Sequence, residues 1–234
     1  MTDRFAAAVA ALMGAVADES LTEPLLDALP VSGAAVSTLG ELLGSETISA
    51  SDTQIARVDE LQFDLGEGPC WDALASGHPV LEPDVRSDPR GAWAAFSAAI
   101  MGEDIGGLFA FPMMIGPLRI GAIDLYTAAP TELSALHVQQ ASALAALVSR
   151  HVLRQALRMA GQDDPESGAG IHSRRTIHQA TGMVLAQLDI SADDAHLLIQ
   201  GRAFADGRSM HEVAGDITAG RLSFAVERDG IEER

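Results

Sequence analysis

Between Gly161 and Gly170 the chain reads GQDDPESGAG, a polar, Gly/Pro-containing run with no apolar periodicity. Such a run is a linker and cannot pass through a packed core. It forces the hydrophobic residues on its two sides into separate cores. The expected organisation is therefore a domain over residues 1–160, a linker over 161–170, a second domain over 171–226 and a tail over 227–234. Charge divides at nearly the same place. Residues 1–149 hold 20 acids and 5 arginines, whereas residues 150–234 hold 13 acids and 10 arginines. The acidic half and the arginine-bearing half are expected to have different duties.

All 15 basic residues are arginine, against 33 acids, for a formal charge of -18. Without lysine there is no P-loop lysine, Schiff-base lysine or kinase-type ATP lysine. A response-regulator receiver domain, which resembles an acid cluster plus a lysine, is disfavoured for the same reason. The single cysteine, Cys70, excludes an internal disulfide and points to a reducing, cytoplasmic compartment. No Cys/His cluster has zinc-ligand spacing, so no metal site is expected. No apolar run approaches the ~18 residues of a membrane span. The apolar stretch Phe5–Ala17 places Phe5, Val9, Leu12 and Val16 at helical spacing, which reads as an amphipathic helix rather than a signal peptide.

The first domain reads as α+β, an antiparallel sheet flanked by helices. A helix is expected over about 3–28 and a strand near Val31–Leu39. A short helix ends near Ser76 and another covers about Ala92–Gly102. Two apolar stretches, Gly107–Met114 and Leu118–Tyr126, flank Ile115-Gly116-Pro117 and form a hairpin. Pro112 suits an edge or strand end, because proline donates nothing to a ladder. Thr131 is the expected N-cap of a long connecting helix whose apolar side includes Leu133, Leu136, Leu144, Leu147, Val148 and Val152.

The second domain reads as a three-helix bundle. Its first helix covers about His172–Leu188. Ser191 caps the second, which runs to about Ala205. Ser209 and Glu212 form a capping box for the third, and Gly220 stops it. On the first helix, Ile177, Ala180, Val184 and Leu188 make one stripe, suited to the bundle core. The opposite side carries Arg175, His178, Gln179, Gly182 and Ala186. A mid-helix glycine costs about 1 kcal/mol relative to alanine. One compensation is close approach by another helix or by a nucleic-acid backbone. The arginine and glutamine beside it suit phosphate and base-edge bonding.

Arg175-Thr-Ile-His-Gln-Ala-Thr-Gly-Met-Val, Ser191-Ala-Asp-Asp-Ala195, Ala203-Phe204, Arg208 and Val213-Ala214 together resemble an ANTAR domain. Upstream, Asp64-Leu-Gly-Glu-Gly-Pro-Cys70-Trp-Asp-Ala-Leu, His78-Pro-Val, Asp84-Val-Arg-Ser-Asp88, Phe111-Pro-Met and Gly121-Ala-Ile-Asp-Leu-Tyr126 resemble a GAF domain. The whole is similar to bacterial GAF-and-ANTAR transcription regulators. The resemblance implies a GAF domain that senses a small-molecule ligand and an ANTAR domain that binds paired stem–loops of nascent RNA and prevents termination. It also implies a homodimer. By position, the RNA-contacting candidates are Arg174, Arg175, His178, Gln179, Thr181, Gly182 and Arg208. Thr181 and Gln200 stand where many ANTAR domains carry a basic residue. Over residues 171–226 five arginines face six acids. Affinity then depends on shape more than on phosphate neutralisation. The same charge balance leaves open a protein-interaction or dimerisation module with weak or no RNA binding.

Catalysis finds no support in the sequence. Gly-x-Ser-x-Gly, His-Glu-x-x-His and Gly-x-Gly-x-x-Gly are absent, and Cys70 has no second cysteine to resolve an oxidised form. Candidate ligand-pocket residues are the aromatics Trp93, Phe96, Phe109, Phe111 and Tyr126, which also suit a plain core. The sequence names no cofactor.

Overall fold

In a computed structural model, the described residues are 2–15, 20–39, 43–87, 91–160, 175–227 and 230–233. The expected linker, Val16, Asp88 and Arg174 lie outside them. The chain divides into two compact units, Met1–His172 and Ser173–Arg234.

In the first unit, α1 (Thr2–Gly14) and α2 (Glu23–Ala28) precede β1 (Gly33–Thr38) and β2 (Glu46–Ala50). Then come α3 (Thr53–Leu65), α4 (Pro69–Ser76), β3 (Val80–Glu82), α5 (Ala94–Ile100), β4 (Gly107–Ile115), β5 (Leu118–Thr127) and α6 (Ala135–Ala160). The strands form an antiparallel sheet in the order β2-β1-β5-β4-β3. The expected hairpin is β4–β5, turning at Gly116, whose φ of 59° suits glycine. Because β3 pairs only with Leu108, Phe109 and Ala110, β4 is locally an edge at Pro112. An interior strand thus accommodates a proline.

The sheet is covered on both faces. Ala8 and Leu12 of α1, Leu25 of α2, and Ala141, Leu144, Val148 and Val152 of α6 pack against Val36, Phe109, Phe111, Ile123 and Leu125. On the other face, Ile55, Val58 and Leu61 of α3 and Phe96 and Ile100 of α5 pack against Ala35, Leu108 and Tyr126. Side chains alternate between faces along each strand, which sorts Phe109 and Phe111 from Leu108 and Ala110. Gly121 lies where β5 meets β1; a Cβ there would sit 1.9 Å from the Ser37 carbonyl oxygen.

Three local expectations are corrected. The helix over 3–28 is two helices, with Pro24 in the first turn of α2, where its fixed φ starts a helix rather than continues one. The long helix begins after Ser134, not Thr131. The Ser134 hydroxyl accepts from the His137 N–H at 3.2 Å, while the Thr131 hydroxyl donates to the Ala129 carbonyl. Finally, β2 and α3 fill a stretch for which no elements were expected. Glu46–Ala50 has little apolar alternation, but Asp52 caps α3 by accepting from the Gln54 and Ile55 N–H groups, both at 2.9 Å.

The second unit consists of α7 (Arg175–Leu188), α8 (Ala192–Asp206), α9 (Met210–Thr218), β6 (Phe224–Glu227) and β7 (Gly230–Glu233). Ile177, Ala180, Val184 and Leu188 enter a core with Ala195, Ile199, Ala203, Val213 and Ile217, as the helical spacing requires. The Ser191 cap and the Ser209–Glu212 capping box both form. The expected tail instead contributes to a β6–β7 hairpin. Phe224 is buried in the bundle core, and its N–H donates to Gln187 Oε1 at 3.0 Å, which anchors β6 to α7.

Candidate functional site

On α7, His178, Gln179 and Gly182 are exposed on the side away from the buried stripe. A Cβ built on Gly182 meets no heavy atom within 4 Å. The glycine is therefore not there to let another helix of the bundle cross. Its small size leaves an open notch on an outward helix face. Thr181 is half-buried and its hydroxyl donates back to the Ile177 carbonyl at 2.8 Å. That bond leaves the Thr181 oxygen only its acceptor capacity for an outside group. Arg175 opens α7, and Arg174 lies outside the described residues.

Arg208 occupies the α8–α9 connection, just past the left-handed C-cap Gly207. Its guanidinium lies 2.7 Å from Asp216 of α9, and Arg221 binds the other oxygen of the same carboxylate at 2.7 Å. The bond from Arg208, then that from Arg221, holds the Asp216 carboxyl below its ordinary range. One acid thus gathers two arginines into an exposed cluster. Arg221 was not among the sequence candidates. It is separated from Arg208 by the whole of α9, and only the folded helix brings both to Asp216. Arg202 is likewise paired, with Asp206 at 2.7 Å.

The five aromatic candidates do not line one pocket. Phe109 and Phe111 belong to the core under α1, α2 and α6, whereas Trp93, Phe96 and Tyr126 belong to the core under α3 and α5. All five are buried. Trp93 stacks edge-on against Phe96 with ring centroids 6.4 Å apart, and its indole N–H donates to Asp72 at 3.1 Å. The Tyr126 hydroxyl donates to Gln54 at 3.3 Å. A cavity of about 370 Å³ lined by Leu12, Met13, Ile115, Leu147, Arg150, Leu153 and Arg154 touches none of the five.

The α3-covered face also buries a polar network that sequence reasoning missed. Asp59 and Asp124 are 0% and 2% exposed. Asp59 accepts from Ser37 at 2.6 Å and from the Thr47 hydroxyl. Gln62 donates to Asp124 Oδ2 at 2.6 Å and accepts the Cys70 N–H at 2.8 Å. Asp124 Oδ1 has no hydrogen-bond partner. The signal was present in the sequence: Asp124 has the strand parity of Ala122 and Tyr126, and Asp59 and Gln62 share a helix face with Ile55 and Val58. Burial, then the Asp59 charge, raises the Asp124 carboxyl well above its ordinary range, against the opposing effect of the Gln62 bond.

The folded chain therefore holds a proton on Asp124 that the unfolded chain releases above about pH 4. Stability from this group is present below that pH and is lost as pH rises toward the elevated folded value. Asp124→Asn is expected to remove this loss. The variant, whose amide does not titrate, is expected to gain stability relative to the wild type as pH rises from about 4 toward neutral. Urea unfolding from pH 4 to pH 8 checks it: the wild-type stability should fall more steeply over that range than the variant's.

The family model described as GAF domain matches residues 18–152, and that described as ANTAR domain matches residues 169–217. Among solved structures, the GAF domain of a phosphoenolpyruvate-protein phosphotransferase from Acinetobacter is similar at 18% identity and TM-score 0.52. That match covers 70% of this chain and 97% of the other. The corresponding GAF domain from Coxiella burnetii is similar at 14% identity and TM-score 0.56, covering 68% and 96%. At these identities the likeness concerns the fold. No curated protein matches the chain. Among the described residues, no helix is long and apolar enough to cross a membrane, and no group of three or more His, Cys, Asp or Glu residues could hold a metal.

Proposed function

Because the chain belongs to the GAF domain family and carries an ANTAR domain behind it, we propose that it is a signal-responsive transcription antiterminator of the cytoplasm. Its ANTAR domain binds stem–loops of nascent RNA, and its GAF domain responds to a small molecule. The observation that carries this reading is the Gly182 notch: a helix-weakening residue on an outward face, flanked by exposed Gln179 and His178, with nothing of its own bundle near it. A nucleic-acid backbone is the kind of partner that needs such an approach. Arg174, Arg175 and Thr181 are carried as contacts by their position in the ANTAR pattern alone, and Arg208, held beside Arg221, adds a second point of phosphate contact. The chain acts as a homodimer and not as an enzyme. Ligand acts by population shift, changing the docking of α6 and so the pairing of two ANTAR domains.

The experiment is retention of a two-hairpin leader RNA by the full-length chain over a range of salt. Arg175→Ala is expected to weaken binding about tenfold and to lower the slope of log affinity against log salt by about 1. Unchanged affinity and slope would remove Arg175 from the contact face. The pairing of Arg202, Arg208 and Arg221 with aspartates favours a second reading, a protein-interaction module without RNA. Absence of any RNA retention by the wild-type chain would select it.

A further inference from the structure

The cavity between α1, the β4–β5 hairpin and α6 differs in charge from the unit that holds it. Residues 1–149 carry 20 acids and 5 arginines. Yet no carboxylate lines this cavity, and its two charged residues, Arg150 and Arg154, are both cations. The other walls are apolar: Leu12 is buried, Ile115, Leu147 and Leu153 are half-buried, and Met13 is exposed. A volume of about 370 Å³ is that of a small-ligand pocket. The helix itself does not account for the two arginines. Arg150, Arg154 and Arg158 follow one another at spacings of four along α6, where like charges repel. Cations suit the last turn of a helix, which explains Arg158 but not Arg150 and Arg154, farther from the end at Ala160. Among the described residues, neither of the two makes an ion pair with a carboxylate. The Arg154 Nε–H donates to the Arg150 carbonyl at 3.2 Å, which leaves the terminal nitrogens of that guanidinium for an outside acceptor.

We propose that this cavity binds a small amphipathic carboxylate, its apolar body against Leu12, Ile115, Leu147 and Leu153 and its head on Arg150 and Arg154. The two kinds of wall choose this chemistry together. A wholly polar anion would leave the leucines and Ile115 in water, and a wholly apolar molecule would leave the arginines without a partner. A planar carboxylate matches the guanidinium fork, which can hold both of its oxygens at once. Both arginines are exposed, so the head keeps part of its hydration and the charge contribution weakens with salt. A body lodged between Leu12 and Leu147 holds α1 to α6, the helix through which the response was proposed to pass. The inference gives the small-molecule response a ligand class and a place, and rests on that reading for its purpose; binding itself is measured without RNA.

Titration calorimetry of the full-length chain with decanoate, kept below the concentration at which it forms micelles, tests it. The wild type is expected to bind decanoate saturably. Decanol, which lacks the charge, and acetate, which lacks the body, should each bind at least tenfold more weakly. The double variant Arg150→Gln with Arg154→Gln should lose at least tenfold in decanoate affinity. Arg158→Gln, exposed on the same helix but outside the cavity lining, should bind as the wild type does. All three arginines are exposed, so the variants keep the fold, which thermal melting without ligand verifies. No binding of decanoate by the wild type would overturn the proposal, as would equal affinity for decanol or an affinity indifferent to the double variant. An equal loss in Arg158→Gln would also overturn it, by reducing the effect to general charge attraction. Decanoate binding without RNA retention supports this site and removes the antiterminator reading; RNA retention without decanoate binding overturns this site alone.

Discussion

Gly182→Glu in the full-length chain is expected to cost at least tenfold in RNA affinity while leaving the fold intact or slightly more stable. The two effects have opposite signs because the glycine serves different ends in each. For the fold, Gly182 is a defect. It is exposed in the middle of α7, no neighbour occupies the space where its side chain would be, and a better helix former gains about 1 kcal/mol there. For binding, the missing side chain is the feature itself. A glutamate fills the notch and sets a negative charge against phosphate, and tenfold corresponds to about 1.4 kcal/mol. Gly182→Ala separates volume from charge and should show the loss in smaller measure, again with no loss of thermal stability. Native-gel retention and thermal melting on the same preparations check both halves. Wild-type affinity in Gly182→Glu would place RNA elsewhere.

Gln62→Leu is expected to destabilise the first unit by about 2–5 kcal/mol, roughly 5–15 °C in melting temperature. Leucine nearly matches glutamine in volume, so packing alone would predict little change. The bonds decide otherwise. Gln62 joins α3, β5 and the start of α4: its amide donates to Asp124, its carbonyl oxygen accepts from the Cys70 N–H, and its backbone oxygen accepts from the Trp71 indole at 2.7 Å. Gly68 closes over it so tightly that a Cβ there would lie 2.7 Å from Gln62 Oε1. Leucine removes the acceptor used by Cys70 and the donor used by Asp124, both in a water-excluded layer. Both tryptophans, Trp71 and Trp93, lie in the first unit. Denaturant unfolding followed by tryptophan fluorescence therefore isolates the affected transition. A change below 1 kcal/mol would mean that the network contributes little to folding.

What could be read from the sequence was local. The capping box at Ser209, the cap at Ser191, the hairpin around Gly116 and the buried stripe of α7 each depend on residues within a few positions of one another. What could not be read depended on register. The five aromatics look alike in sequence, but Phe111 pairs across the sheet with Ile123 and shares its face with α6, while Tyr126 looks toward α3. Strand parity sorts residues within one strand; it does not say which helix covers which face. The Arg208–Asp216–Arg221 cluster and the Asp59–Gln62–Asp124 layer have the same origin, since their members meet only after distant elements have packed. Thr131 was a plausible cap, with Ser134 equally capable three residues later. The chain caps at Ser134, and the Thr131 hydroxyl donates to the Ala129 carbonyl instead.

The central claim is that the open face of α7 lies against folded RNA. Fluorescence anisotropy of a labelled two-hairpin leader, titrated with the full-length wild-type chain and with Gly182→Glu at matched salt, tests it most directly. The account predicts saturable binding by the wild type that weakens as salt rises, and at least tenfold weaker binding by the variant. Equal curves for the two proteins, or no binding by the wild type at low salt, would contradict it.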